Sequence, residues 1–584
     1  MALSVCLGRL GSRGGLCHRL AVLEQEVGTL EGLVEALGKL RGVPDREDMD
    51  NSEIIFVWGK NPETDSGPLP YYRPLLRAKK RGAKIVVIDP RGEVLSSITD
   101  WWVPILPGSD GALALAMLKI IIEEDRYDRE FVEHYTRGFA PFRDYLAGQN
   151  LETLCGYCGI PLEQVRKLTD LFCSTEKIAL VSYTGLEYQL SGVQNNRAIQ
   201  TLWAITGKLD VPGGMCFRAQ HCPTVPLLPQ ERTRRLPGNQ DYPLFCRLTG
   251  QGQFAAFPRA VLEGDPYPIR ALILCAASPA VTYPNQAMWH KVYRSLDCLI
   301  VLERFMTEDA KYADLILPST TLFENQSVIA IPGGMRMRNR IIPPQGEARS
   351  DVFIFQALAQ QLGHGDELPG DDTQLELTMV KGDQDYLDRL KATPYGITGW
   401  PPQQDRKYAS GLLRADGQPG FPTPSGKFEI ASTYLEECGY TGYPEYRDIR
   451  TLDGMDGAPG EFPFLLVTAA RDSYRFSSFG ANIPEIAKVS PAPTLDLSPE
   501  DAAQLGIREG DAVEIETRFG RKVYPAHLTP MVRGAVHVPY GGGSSYMPEA
   551  WREGNINDIC SWDFRDPLSG FLVFKSLPCR LRKR

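Results

Sequence analysis

Two apolar runs separated by a basic segment constrain the fold of this chain more than any other feature. IIFVWG (residues 54–59) and KIVVID (84–89) are short, rich in β-branched residues and followed by turn residues. The segment LLRAKKRGA (75–83) between them has the pattern of a basic amphipathic helix. The order strand, helix, strand predicts a βαβ unit with a parallel sheet, so the fold class is α/β.

Three loops near this unit carry the residues that a ligand site requires. In parallel sheets ligands bind outside the carboxyl ends of the strands, where a helix start favours an anion and glycine lets backbone N–H groups approach a phosphate. We predict a helix from Ala112, so the third loop precedes a helix start. The loops contain Gly59, Asn61 and Pro62; Asp89, Pro90 and Arg91; and Pro107, Gly108, Ser109 and Asp110. They predict a nucleotide site, although turns of an ordinary α/β fold explain the same residues equally well.

Further along the chain the pattern alternates between helical and extended segments. Residues 112–136 read as one long amphipathic helix, and 269–285 as a buried strand with a loop at its end, which starts a second α/β segment. From Phe464 onward, short strands separated by turns indicate a small β-barrel.

Composition excludes several classes of protein. A chain of 584 residues implies three or four domains, and 43% hydrophobic with 23% charged residues is typical of a globular protein. The formal net charge is −9 with no basic block beyond the final RLRKR, so we expect no nucleic-acid partner. No apolar run is long enough to span a bilayer, and the first residues show no export signal.

The cysteine pattern favours reduced thiols. Thirteen cysteines are scattered without a disulfide framework, which indicates a cytoplasmic location. Cys155 and Cys158 have the spacing of metal ligands, but no second pair follows at a suitable distance. Because a structural metal site needs four ligands, we favour a structural role for this pair.

Taken together, the motifs resemble the large subunits of the molybdopterin oxidoreductases, the superfamily of dimethyl sulfoxide reductase and formate dehydrogenase. The resemblance runs from about Asn51 to Arg584 and is carried by WGKNPETDSG, GLEYQLSG, YADLILPSTTLFEN, GEA, DPLSG and FKSLPC. It implies doubly wound α/β domains with parallel sheets that carry a pterin dinucleotide cleft, followed by a C-terminal β-barrel of the double-psi type. The implied divisions are a divergent segment 1–47, an α/β domain 48–215, a second α/β domain 216–460, incomplete relative to the family, and a dinucleotide-binding barrel 461–584.

The resemblance also implies a cofactor and the residues that bind it. The cofactor is a pair of molybdopterin guanine dinucleotides that hold one molybdenum or tungsten. The matching positions are Gly59, Asn61, Pro62, Asp89, Arg91, Gly108, Asp110, Gly185, Gln189, Thr468, Arg471, Ser478, Asn482, Asn555 and Lys575.

A metal ligand is harder to assign. Cys17 and His18 stand upstream of the first strand, at a distance broadly similar to that of the Cys-His pair of formate dehydrogenases. By this match Cys17 would ligate the metal and His18 would move a substrate proton. The neighbouring residues do not match, so a free cysteine beside a surface histidine is the favoured reading. Residues 217–222 also depart from formate dehydrogenases, which puts formate oxidation in doubt.

The cysteine motif of the N-terminal 4Fe-4S cluster, which the family usually carries, is absent from this sequence. We therefore expect an iron–sulfur electron-transfer subunit, or a separately encoded N-terminal piece, to carry the electrons. Because burying two dinucleotides also takes the missing domain, we expect an exposed apolar face that a partner covers. The expected function is two-electron oxygen-atom or hydride transfer on a small molecule, typical of anaerobic respiration. Two alternatives are a non-catalytic relative similar to the large complex I subunit and a truncated fragment of such an enzyme.

Overall fold

The computed structural model describes residues 4–5, 48–64, 71–217, 235–249, 251–331, 334–398, 404–452, 458–468 and 483–584. A parallel sheet organises the first half of the chain, and its strands stand in the order Trp101–Val103, Lys84–Ile88, Ile54–Trp58 and Ile178–Ser182. The predicted βαβ unit is thereby confirmed. The helices of this region are Tyr72–Lys80, Asp110–Glu123, Arg129–Tyr135, Phe139–Ala147, Leu151–Cys158, Leu162–Phe172 and Gly192–Ile205.

The helix predicted over residues 112–136 differs from the structure in three ways. It begins two residues earlier, at Asp110, and ends at Glu123. A separate helix follows at Arg129, where the side chain of Asp128 caps the first turn. The first helix is also buried on every side from Asp110 to Ile122, because other helices and the sheet surround it, so the prediction of one amphipathic helix was wrong.

The CxxC pair lies in this helical core. Cys155 and Cys158 lie in the helix Leu151–Cys158, which ends at Cys158, and the Cys158 thiol donates to the Leu154 carbonyl at 3.1 Å. Burial raises the pKa of both thiols. Within the described residues, no three side chains of His, Cys, Asp or Glu form a group that could hold a metal ion.

A second parallel sheet has the strand order Ser4–Val5, Ala271–Cys275, Cys298–Glu303 and Leu315–Pro318. Beside it, the hairpin Ser327–Ile331 and Gly334–Arg338 pairs with Ile397–Thr398, while Phe428–Glu429 pairs with Thr136–Arg137 of the first region. Tyr408, Phe421 and Phe428 pack in the core of the first sheet, so contacts cross the division predicted at residue 215. The helices are Pro243–Thr249, Phe257–Leu262, Pro279–Thr282, Gln286–Arg294, Asp351–Gln361, Asp372–Met379, Gln384–Ala392, Thr433–Glu437 and Ala458–Glu461.

The predicted β-barrel is confirmed as a closed barrel of six strands. Their order is Phe464–Val467, Ala535–His537, Leu495–Leu497, Gly520–Leu528, Ala512–Thr517 and Lys575–Lys583. Alternate side chains such as Leu466, Leu497 and Val536 fill its interior. The helices here are Pro484–Val489, Pro499–Leu505 and Glu549–Glu553.

The barrel contacts the carboxyl ends of both sheets. On one side, the backbone N–H groups of Gly92 and Val532 donate across the boundary to Pro530 and Pro90, both at 2.7 Å. On the other, the Glu308 N–H donates to the Ser544 hydroxyl at 3.0 Å. We call the boundary between the barrel and the first sheet the first crevice, and the boundary between the barrel and the second sheet the second crevice. None of the described helices is long and apolar enough to cross a membrane.

Candidate functional site

The first crevice forms where the predicted loops meet at the carboxyl end of the first sheet. Gly59 follows the central strand in a left-handed conformation, and its carbonyl accepts a 2.9 Å hydrogen bond from the Gly185 N–H. Asn61 continues the same loop, and its side-chain oxygen accepts from the Glu63 N–H at 3.1 Å. Pro62 beside it is buried. The loops after the strands Ile54–Trp58 and Ile178–Ser182 thus touch directly.

Asp110 is the centre of a buried hydrogen-bond network at the helix start. Its two carboxylate oxygens accept from the Trp58 indole and the Gln189 amide, each at 2.8 Å. Asn195 completes the network, because it donates to Gln189 at 2.6 Å and accepts from the Gly111 N–H at 3.0 Å. Burial raises the pKa of Asp110 to about 6, against the opposing effect of these hydrogen bonds.

Lys575 brings a cation from the barrel into the same crevice. Its ammonium donates to the Thr184 carbonyl at 2.8 Å, and only 8% of the residue is exposed. Burial lowers the pKa of Lys575 to about 8, partly offset by Glu187, Asp89 and Asp110. A buried ammonium among carboxylates is suited to an anionic group of a ligand.

A β-bulge aims this lysine at the crevice. Leu466 pairs with Leu577, but the next residue, Val467, pairs with Lys575, so Ser576 is the extra residue of its strand. Ser576 has a φ of 89°, in the left-handed region. Leu577 points into the barrel, and regular alternation would point Lys575 inward as well. The bulge reverses that direction and sends the ammonium outward.

Asp89 and Arg91 form the wall of the crevice beside the barrel. The Asp89 carboxylate accepts from the Arg91 N–H at 2.9 Å and lies 3.7 Å from its guanidinium. Burial raises the pKa of Asp89, whereas Arg91 lowers it. Gly108, with a φ of 87°, lies where any Cβ would come within 2.7 Å of the Ser576 side chain.

Two predicted barrel residues carry buried polar atoms without hydrogen-bond partners in the described part of the chain. These are the Thr468 hydroxyl and the Asn555 amide nitrogen. Thr468 is beside the first crevice, since its N–H donates to the carbonyl of Phe574, the residue before Lys575. Asn555 is at the second crevice instead, between Gly543 and the loop around Asn557.

The second crevice has a buried carboxylate, Asp309, which begins a short helix after the strand Cys298–Glu303. Asp309 accepts from the Tyr293 hydroxyl at 2.5 Å, from the Ala280 N–H at 3.0 Å and from the Ser278 hydroxyl. Burial raises the pKa of Asp309, and these donors oppose the rise. Sequence reasoning missed Asp309, Trp58, Asn195 and Ser576, since none lies in a strand-end turn that draws attention in one dimension.

The structure brings most predicted site residues together. The first crevice unites Gly59, Asn61, Pro62, Asp89, Arg91, Gly108, Asp110, Gly185, Gln189, Thr468 and Lys575. Asn555 lies at the second crevice instead. Cys17, His18, Arg471, Ser478 and Asn482 lie outside the described residues.

Comparison with known families identifies this architecture. The pattern of the molybdopterin oxidoreductase family matches residues 29–361, more than half of the chain. The chain belongs to this family. The pattern of the molybdopterin dinucleotide binding domain matches residues 464–578, which coincide with the barrel.

Individual molybdopterin oxidoreductases resemble the chain over most of its length. Acetylene hydratase of Syntrophotalea acetylenica is 27% identical over 84% of this chain and 70% of its own. Formate dehydrogenase H of Escherichia coli is 26% identical over 84% of this chain and 69% of its own. Thiosulfate reductase PhsA of Salmonella typhimurium is 27% identical over 80% of this chain and 65% of its own. The solved structure of acetylene hydratase from Pelobacter acetylenicus shares the fold, with a TM-score of 0.82 and 22% identity over 96% of this chain and 82% of that one.

Proposed function

We propose that this chain is the catalytic subunit of a molybdenum or tungsten oxidoreductase that binds molybdopterin guanine dinucleotide. The observation that carries the proposal is the first crevice, where Lys575 of the barrel meets Asp89 and Asp110 of the sheet. All three are buried, and they belong to parts of the chain that match the two family patterns. A protein seldom buries this much charge without a ligand that uses it.

The side chains present fit a dinucleotide. The ammonium of Lys575 and the guanidinium of Arg91 suit the diphosphate, and the carboxylates of Asp89 and Asp110 suit N–H groups of a base or hydroxyls of a ribose. Thr468 offers a buried hydroxyl that has no other partner among the described residues. Gly59 and Gly108 let the crevice loops pack closely, because a Cβ at either position would crowd Gly185 or Ser576.

The bound cofactor would supply a metal that exchanges two electrons and transfers an oxygen atom or a hydride. The chain's own residues bind and orient the dinucleotide. The helix start at Asp110 and the loop at Gly59 hold the crevice wall rigid through the Trp58 and Gly185 hydrogen bonds. The barrel covers the crevice and excludes water from the groups beneath it.

A second dinucleotide in the second crevice is part of the proposal. It is supported by the second parallel sheet, whose strand ends also face the barrel, and by the amide nitrogen of Asn555, which has no partner among the described residues. Cys17 as the metal ligand, with His18 as a proton carrier, remains a prediction from the sequence. Reaction and substrate are likewise proposals, because the named relatives include a hydratase, a reductase and a dehydrogenase.

We also propose an iron–sulfur partner protein that accepts or donates the electrons. An apolar surface on the second α/β region supports a partner of some kind. Met306 is 58% exposed, Phe323 is 51% exposed and Ile341 is 71% exposed. Phe323 and Ile341 are neighbours, because the Ile341 N–H donates to the Phe323 carbonyl at 2.8 Å. Exposed apolar side chains in one region are typical of a contact surface. A cytoplasmic location fits the reduced cysteines and is proposed on that basis.

The test is the metal and pterin content of the purified chain. Elemental mass spectrometry measures molybdenum and tungsten, and fluorescence of the oxidised pterin measures the dinucleotide. A content of about one metal and two pterins per chain would support a catalytic subunit. In that case Cys17→Ala should lower the metal content and leave the pterin content unchanged. One pterin would restrict the cofactor to one crevice. A chain that contains neither metal nor pterin would overturn the proposal in favour of a non-catalytic relative or a fragment.

A further inference from the structure

A row of paired residues crosses five strands of the barrel above the first crevice. His527 pairs with Asp496, Asp496 with His537, His537 with Val467, and Val467 with Lys575. Directly paired residues of neighbouring strands point to the same face of a sheet. This face is the outer one, because the residues that alternate with the row, such as Leu466 and Val536, fill the barrel interior.

Lys575 shows where the row points. Its ammonium reaches the Thr184 carbonyl inside the first crevice. His537 is two strands away from Lys575, a separation of roughly 10 Å at the usual strand spacing. His537 is nevertheless only 4% exposed, so this part of the outer face is covered. The Lys575 end of the row therefore lies at the boundary between the barrel and the first α/β domain, and His537 lies in a covered part of the same barrel face.

Asp496 fixes the orientation of the His537 ring. One carboxylate oxygen lies 2.7 Å from Nδ1 of His537, and the other lies 3.1 Å from Nδ1 of His527. With Nδ1 held by the carboxylate, Nε2 is the ring nitrogen left for another partner. Nε2 of His537 is buried and has no hydrogen-bond partner in the part of the chain that the structure describes. A buried polar atom of this kind carries a free-energy cost unless a ligand satisfies it.

We propose that His537, oriented by Asp496, is a further binding residue of the first crevice, and that its Nε2 makes a hydrogen bond with a polar group of the dinucleotide. The inference rests on the proposed function and extends it to a residue outside the predicted set. In this arrangement Lys575 meets an anionic group of the ligand, and His537 meets another polar group of the same molecule farther along the barrel. His527 shares Asp496 but is half-exposed at the far end of the row, so it takes no part.

The experiment compares asparagine variants of the two histidines in the full chain. Asn places its amide where Nδ1 was, so His537→Asn keeps the bond to Asp496 and removes only Nε2. His527→Asn is the matched control, because it makes the same change on the other side of the same carboxylate. The readout is the half-time of pterin release during dialysis, together with the urea midpoint of each protein after its pterin has been removed.

We expect His537→Asn to shorten the half-time about tenfold, as for the loss of one buried hydrogen bond to a ligand, with the urea midpoint unchanged. His527→Asn should leave both values as they are, and His537→Gln, which can place an amide oxygen near the former Nε2, should restore part of the retention. An unchanged half-time in His537→Asn would overturn the inference alone. So would a loss of retention matched by a lower urea midpoint, since the role would then be structural. A wild-type chain without pterin would overturn the inference and the proposed function together.

Discussion

Gly59 and Gly185 touch through their backbones at the bottom of the first crevice. The Gly185 N–H donates to the Gly59 carbonyl at 2.9 Å, and a Cβ on Gly185 would overlap that carbonyl and the Gly59 Cα. The contact joins the loops that follow two adjacent strands of the sheet. It sets the depth of the crevice, since any side chain here would push the loops apart.

Gly185→Ala should therefore destabilise the protein. Backbone atoms cannot move aside as a flexible side chain can, so we expect a loss of about 2–3 kcal/mol in the free energy of unfolding, measured by urea denaturation. Gly156→Ala is the matched control, because no atom lies within 4 Å of its Cβ position and it is in a helix. That control should be neutral or gain up to about 1 kcal/mol. Equal stability of the two variants would show that the loops can separate freely.

The buried carboxyl of Asp110 should make stability depend on pH. Its pKa is raised to about 6 from the ordinary 3.8, so the folded state favours the neutral form. The stability that this provides is fully present below about pH 4 and is lost as pH rises through about 6. The loss is on the order of 3 kcal/mol at 1.36 kcal/mol per pKa unit, as an upper bound for a buried group.

Asp110→Asn, which is neutral at every pH, tests this dependence. We expect its free energy of unfolding to gain on that of the wild type between pH 4.5 and pH 7, as measured by urea denaturation at both values. Asp144→Asn removes a carboxylate whose side chain is 71% exposed and serves as the control. If the difference between Asp110→Asn and wild type is the same at both pH values, the carboxyl is ionised throughout.

Lys575 should control retention of the dinucleotide. Replacing it with methionine keeps the length of the side chain and removes the buried cation, so we expect at least a tenfold loss in pterin content per chain. The pKa of Lys575, about 8, also predicts that its ammonium loses its positive charge as pH rises above that value. The crevice without a ligand should then lose affinity for an anion. Lys177→Met, at a lysine whose side chain is 51% exposed, is the control. Normal pterin content in Lys575→Met would remove this residue from the site.

Tyr293 should stabilise the second crevice through Asp309. Tyr293→Phe leaves the ring in the core and removes one of three donors to a buried carboxylate, so we expect a loss of about 1.5–3 kcal/mol in the free energy of unfolding. Tyr395→Phe makes the same change at a residue that is 89% exposed and should have no effect. Thermal or urea denaturation distinguishes the two. No difference between them would mean that Asp309 finds another donor.

Much of the fold could be predicted from local pattern. The βαβ unit and the barrel follow from short apolar runs bounded by turn residues, and the strand-end loops follow from the geometry of parallel sheets. The prediction over residues 112–136 was wrong because a helix buried on all sides has no polar face by which to recognise its ends. Trp58 and Asn195 were missed because they look like core and surface residues in the sequence. Only folding brings Trp58 to the Asp110 carboxylate and Asn195 to Gln189 and the Gly111 N–H.

The sequence by itself determined the family, the α/β class and the residues of the three loops, because each depends on residue types within short windows. Only the tertiary structure decided that Lys575 enters the first crevice, that Asn555 lies at the second, and that Asp496 holds His537 with one nitrogen unsatisfied. These relationships join strands far apart in the chain. They depend on barrel register and on the bulge at Ser576, and register is set by packing over the whole barrel, which no local stretch of sequence contains.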